Sequence, residues 1–250
     1  MTAVLLHGHP ETPVIWQPLV EQLRRSDVVC PQLPGFGVPT PEGFGATKDD
    51  YASWLADELE HIVAETGPVD LVGHDWGGGF AMMVIAERPE LVRSWACDVL
   101  GLFHPDYVWH DLAQLWRTPG AGEEFFEQNL ASPVEDRIAL YESVGIPRAT
   151  AEPLVAAFDE ETARCALALY RSANEPEMVE LGQRFGPAAD RPGLAIIAPD
   201  DPFVRDTSYA RQIAERLGAR VHELAGQGHW WMLHDPAAGA QMLDDFWASL

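Results

Sequence analysis

The chain has 250 residues, enough for one globular domain with a modest insertion. Apolar residues make up 47% and charged residues 22%, which excludes disordered, collagen-like and low-complexity classes. With 39 acidic against 16 basic residues the net charge is −23, a surface that repels nucleic acid and anionic membranes and favours a small neutral organic substrate.

The opening stretch MTAVLLHGHP has no basic segment before its apolar run and no small-residue cleavage site, so it reads as a strand and not as a signal peptide. No apolar run approaches the roughly 20 residues that a membrane helix needs. Cys30, Cys97 and Cys165 form an odd, widely spaced set, expected as free thiols in a reducing compartment, and a cytoplasmic protein is the expectation. A homodimer is compatible with this surface.

In chain order, residues 3–7 form a buried strand that runs into a Gly/Pro loop. Helical spacing follows over 16–25, and a second short strand over 27–30. Residues 49–66 carry Tyr51, Trp54, Leu55, Leu59, Ile62 and Val63 on one helical stripe, which Gly67-Pro68 ends. A third strand over 69–73 leads at once into a helix over about 77–87. Residues 92–100 give a fourth strand, 193–198 a fifth, 208–217 a helix, 220–224 a sixth strand and 236–250 a last helix. This alternation predicts an α/β fold, a mostly parallel sheet of about six strands with helices on both faces. Residues 102–191 show only helical segments, so they are expected to form a helical cap over a core made of 1–101 and 192–250. Ligands of open α/β sheets bind at the carboxyl ends of strands, so chemistry is sought just after each strand.

After the third strand comes Gly73-His74-Asp75-Trp76-Gly77-Gly78, the pattern of a sharp strand-to-helix elbow that exposes a nucleophile. The central residue is an aspartate, whose bland reading is a helix N-cap. As a nucleophile, the carboxylate displaces a leaving group at an sp3 carbon and forms an alkyl ester, which water must then cleave with a general base and an oxyanion hole. The helix N-terminus beneath Asp75 is expected to keep it ionised. Strained epoxides and carbon–halogen bonds suit this chemistry. No serine occupies an elbow.

With His7-Gly8-His9-Pro10 after the first strand and GHDWGG after the third, the chain resembles the α/β-hydrolase superfamily, in its epoxide hydrolase and haloalkane dehalogenase branch. The resemblance covers nearly the whole chain. It implies an oxyanion hole from the backbone N–H groups of His9 and Trp76. It also implies the chain order nucleophile, acid, histidine. His229, in Gly228-His229-Trp230 after the sixth strand, stands where the family places its catalytic histidine. Asp201 in Pro199-Asp200-Asp201-Pro202 is the expected orienting acid, with Asp98 near the end of the fourth strand as the alternative. His7 and His74 are expected to be structural.

Opening an epoxide leaves an alkoxide that needs a donor, and the family's epoxide hydrolases commonly use two cap tyrosines. Tyr170 in Ala168-Leu169-Tyr170-Arg171 resembles the second; its alternative is cap packing. At the first, the segment 113–120 offers Leu115 and Trp116. An indole N–H donates a hydrogen bond but no proton, so Trp116, or Trp109 on the same apolar segment, is either a leaving-group donor or cap packing. A dehalogenase would pair Trp76 with a second donor, often an asparagine at the position that His9 holds. Trp230, with Trp16, Phe36 and Trp231, suggests an aromatic-lined pocket. Departures from the family pattern include Gln32 in place of an aspartate before LPGFG, and two fewer strands than usual. The expectation is an epoxide hydrolase without metal or cofactor; the alternatives are a dehalogenase and a catalytically inert ligand-binding member.

Overall fold

The computed structural model describes residues 2–250, apart from the side chains of Pro187 and Ala189. Its sheet is built from Ala3–Leu6 (β1), Val28–Val29 (β2), Val69–Gly73 (β3), Val92–Cys97 (β4), Gly193–Ile197 (β5) and Arg220–Glu223 (β6). All neighbouring strands pair in parallel, in the order β2-β1-β3-β4-β5-β6. The central strands are mostly apolar on both faces, as strands between helix layers are, with Asp70 of β3 buried against Arg93 and Ser94 of β4. Val4 and Leu6 point into one hydrophobic cluster and Ala3 and Leu5 into another, the period-2 alternation of a strand.

Helices α1 (Gln17–Val20), α2 (Lys48–Thr66) and α3 (Trp76–Glu87) follow β1, β2 and β3. Tyr51, Leu55 and Leu59 of α2 and Phe80 of α3 fill the cluster on one face. Leu19 of α1 fills the opposite one. Thr47 caps α2 reciprocally with Asp50, satisfying two backbone donors at its first turn. Six helices come next: α4 (Asp111–Arg117), α5 (Ala121–Ala131), α6 (Val134–Ser143), α7 (Arg148–Ala157), α8 (Glu160–Ser172) and α9 (Glu175–Gln183). No strand interrupts residues 102–191 among the described residues. After β5 come α10 (Ser208–Arg216), then a one-turn α11 (Trp231–His234) beyond β6 and finally α12 (Pro236–Ala248).

Three elements differ from expectation. The first helix starts as a 3-10 turn over Pro13–Trp16 and ends at Val20, short of the expected span; Pro18 sits in its first turn, where a missing N–H costs nothing. The fourth strand stops at Cys97: Val99 adopts a left-handed φ of 52°, and the apolar run continues as the 3-10 turn Leu100–Phe103. Trp109 is not helical, since His110 N-caps α4 through its ring nitrogen and the Ala113 N–H. Among the described residues no helix is long and apolar enough to cross a membrane.

Candidate active site

The chain leaves β1 toward β2 on one side and β3 lies on the other, so the carboxyl ends of β1 and β3 diverge and open a crevice. Asp75 sits there, between β3 and α3, with φ 51° and ψ −124°. A non-glycine residue held at such angles is strained, and the surrounding packing enforces it. A Cβ at Gly77 would strike the Leu6 and His7 carbonyls, and one at Gly8 would strike the Asp75 carboxylate. The glycines thus let the elbow press against the β1 loop. From that loop the His9 backbone N–H donates to Asp75 Oδ1 at 2.9 Å.

The other carboxylate oxygen, Oδ2, faces His229 Nε2 at 3.9 Å, and His229 Nδ1 lies 2.7 Å from Asp201 Oδ2. Asp201 is itself fixed, its Oδ1 accepting from the Phe203 backbone N–H at 2.7 Å. The structure therefore brings Asp75, His229 and Asp201 into one line. Burial raises the Asp75 carboxyl to about 6, with the His229 charge opposing that rise. A carboxyl at about 6 is still largely ionised at neutral pH, as the nucleophile must be. Burial pulls the His229 imidazole down, but the Asp201 carboxylate outweighs it and holds the ring above its ordinary value.

Asp98 is not on His229. Its Oδ1 accepts the Asp75 backbone N–H at 2.8 Å, and its Oδ2 takes His74 Nδ1 at 2.5 Å and the Trp231 indole at 2.9 Å. The alternative acid is thereby a support of the elbow. His74 Nε2 meets Glu11 Oε1 at 3.1 Å, so both ring nitrogens face carboxylates and both must carry protons. Burial opposes that charge, yet Asp98 and Glu11 raise His74 well above its ordinary value. Glu11 also accepts from the Gly8 backbone at 3.0 Å and the Trp230 indole at 2.5 Å. The Glu11, His74 and His229 ligand atoms converge, but each has the hydrogen-bond partner just described, and we read them as a proton-bearing network. Glu11 escaped the sequence reading. A carboxylate directly after the HGHP turn was the visible signal, but its partners lie far along the chain.

Above Asp75 lies a cavity of about 190 Å³, lined by His9, Trp116, Phe126, Tyr170, His229 and Trp230 among others. Trp109 and Trp76 line a smaller adjoining pocket beside Asp75, together with Tyr107, which the sequence reading did not weigh. Trp109 stacks on Trp76 with ring centroids 5.7 Å apart. Tyr170 lies between them and Trp116, 5.5 Å from Trp76 and 4.9 Å from Trp116. Burial and the Asp75 charge push the Tyr170 hydroxyl well above its ordinary range, against a hydrogen bond from Trp76. Of the other aromatic candidates, Trp16 and Trp231 are core, and Phe36 packs beneath His9 against Tyr51. His7 is structural, its Nε2 accepting from the Leu33 backbone at 3.1 Å.

Residues 3–242 match the alpha/beta hydrolase family. The chain belongs to that family. A haloalkane dehalogenase of Bradyrhizobium diazoefficiens is 26% identical over 88% of this chain and 81% of its own length. A soluble epoxide hydrolase of Corynebacterium sp. is 30% identical over 36% of this chain and 31% of that protein. The chain spans about a third of the length of several curated relatives it matches. A solved haloalkane dehalogenase from Bradyrhizobium elkani superposes with a TM-score of 0.74 at 22% identity, covering 100% of this chain and 91% of that one. That likeness establishes the α/β-hydrolase fold.

Proposed function

We propose that this hydrolase opens a neutral, apolar or aromatic epoxide to a vicinal diol through an ester on Asp75. The observation that carries this reading is Tyr170: a buried phenol in the cavity over Asp75, kept protonated in part by the Asp75 charge itself. An alkoxide leaving group needs such an O–H donor, whereas a halide does not.

In this mechanism Asp75 Oδ2, which has no backbone donor holding it, attacks an epoxide carbon. Tyr170 donates to the oxygen as the carbon–oxygen bond breaks. His229, oriented by Asp201, then takes a proton from water, which attacks the Asp75 carbonyl carbon. The developing oxyanion at Oδ1 falls to the His9 N–H already bonded to it, and the backbone N–H of Trp76, the first residue of α3, is the second donor this mechanism assigns. Collapse of the tetrahedral intermediate breaks the bond between the Asp75 carbonyl carbon and the ester oxygen. The protons of the attacking water, one taken by His229 and one left on the Asp75 carboxyl, neutralise the departing alkoxide and the Tyr170 phenolate, which frees the diol and restores the resting groups.

Dehalogenation is the second reading. Haloalkane dehalogenases recur among the relatives, and the indole of Trp116 is buried with no protein partner for its N–H. Both reactions share every step after ester formation. Replacing Tyr170 with Phe separates them: epoxide turnover should fall at least about a hundredfold while bromoalkane turnover persists. Equal survival of both activities would remove Tyr170 from the mechanism.

A further inference from the structure

The cavity wall is mostly apolar; besides the catalytic groups its polar side chains are His110, Asn129, Tyr141 and the pair His9 and Trp116. Neither ring nitrogen of His9 has a protein partner, nor does Trp116 Nε1, and all three atoms are buried. His9 is 4% exposed and Trp116 7%. Their rings meet edge to face with centroids 5.0 Å apart, and both border the cavity. Buried polar atoms are nearly always paired, so unpaired atoms on two touching residues that line a ligand cavity point to the ligand as the partner. Burial lowers the His9 imidazole to about 3, and neighbouring Glu11 only partly opposes this. The ring is therefore neutral at working pH and offers one donor and one acceptor.

We propose that His9 and Trp116 form a seat for a hydroxyl substituent of the substrate, distinct from the leaving oxygen. A hydroxyl oxygen accepts from the Trp116 N–H while its proton goes to the basic nitrogen of His9; a carbonyl or ether meets the donors alone. A carboxylate is disfavoured, because the seat holds no cation and the chain carries a net charge of −23. Tyr170 separates this seat from Trp76, since its ring is 5.4 Å from His9 on one side and 5.5 Å from Trp76 on the other. The substrate class becomes an epoxide that carries an alcohol on its apolar body. This deepens the epoxide reading and rests on it for the reacting group alone.

The test uses phenylethanol and propylbenzene, which have equal numbers of heavy atoms. Titrated into the wild-type protein, phenylethanol should move the His9 imidazole nitrogen resonances, which a His9→Phe variant lacks, and propylbenzene should not. Trp116→Phe should weaken phenylethanol relative to propylbenzene by about tenfold in Kd, the effect of one lost hydrogen bond. Silent His9 resonances, or an unchanged affinity ratio in Trp116→Phe, overturn the seat. Epoxide turnover alongside a silent His9 would overturn this inference alone. An alcohol that engages His9 in a protein turning over no epoxide would leave the seat standing and remove the epoxide reading.

Discussion

At Asp75 the fold and the chemistry pull in opposite directions. Burial lifts its carboxyl to about 6, so the native state penalises the charge that the reaction needs. For an acid raised above its unfolded value, the stability linked to the group is full below that value and is lost as pH rises through about 6. At pH 7 the Asp75→Asn variant should therefore be inactive yet more stable, by on the order of 2 kcal/mol. Denaturant unfolding of the two proteins at pH 7 and at pH 4 checks this, because the gap should close at the lower pH. A variant no more stable at pH 7 contradicts it. The pH profile has a sign as well. Ester formation should rise with pH through about 6, as Asp75 ionises. Ester hydrolysis should rise later, because His229 must lose a proton that Asp201 holds above the ordinary value near 6.5. Tyr170 is held well above its usual value, so no alkaline loss from its ionisation should appear up to pH 10 in stopped-flow rates. At this scale much of the site was legible: glycine spacing marked Asp75, and position after a strand marked Asp201 and His229. Glu11 was not, because its role lies in contacts to His74 and Trp230, which no local pattern encodes.

The loops that carry these residues are joined beneath the nucleophile. Glu11 from the β1 loop, His74 after β3, Asp98 after β4 and Trp230 and Trp231 after β6 form one buried hydrogen-bonded set. Removing one member of a buried ion pair leaves its partner's charge uncompensated. Glu11→Gln should therefore cost roughly 3 kcal/mol of stability. It should also lower His74 toward ordinary imidazole behaviour, observable in its ring-nitrogen resonances. A stability loss without any change at His74 would count against the charged network. Element ends were harder to read than element existence. β4 and the 3-10 turn beyond it share one apolar run, and only the left-handed backbone at Val99 separates them. A β-branched residue gives no local hint of such a conformation. Likewise the apolar spacing after Trp16 is helical in pattern, while the helix itself covers only Gln17–Val20.

Across the whole molecule, the alternation of strands and helices was sufficient to anticipate six parallel strands, and the structure has them in one sheet. Strand order and the meeting of the β1 loop with the β3 elbow rest on contacts between distant segments and needed the coordinates. The net charge of −23 gives a prediction at this scale. Self-repulsion among the acidic side chains is screened by salt, so Tm should climb between low and moderate ionic strength at pH 7. A Tm insensitive to salt would mean that the local pairs of the surface arginines already neutralise the field. The central claim is that Asp75 becomes esterified by an epoxide. Its most direct test is the intact mass of a His229→Gln variant exposed separately to an aryl epoxide and to a bromoalkane. With the base gone the ester should accumulate, and the account predicts an adduct carrying the full mass of the epoxide, localised to the peptide of Asp75. An adduct only from the bromoalkane, bearing its alkyl group without the halogen, would contradict the epoxide reading and leave the dehalogenase; no adduct from either would contradict both.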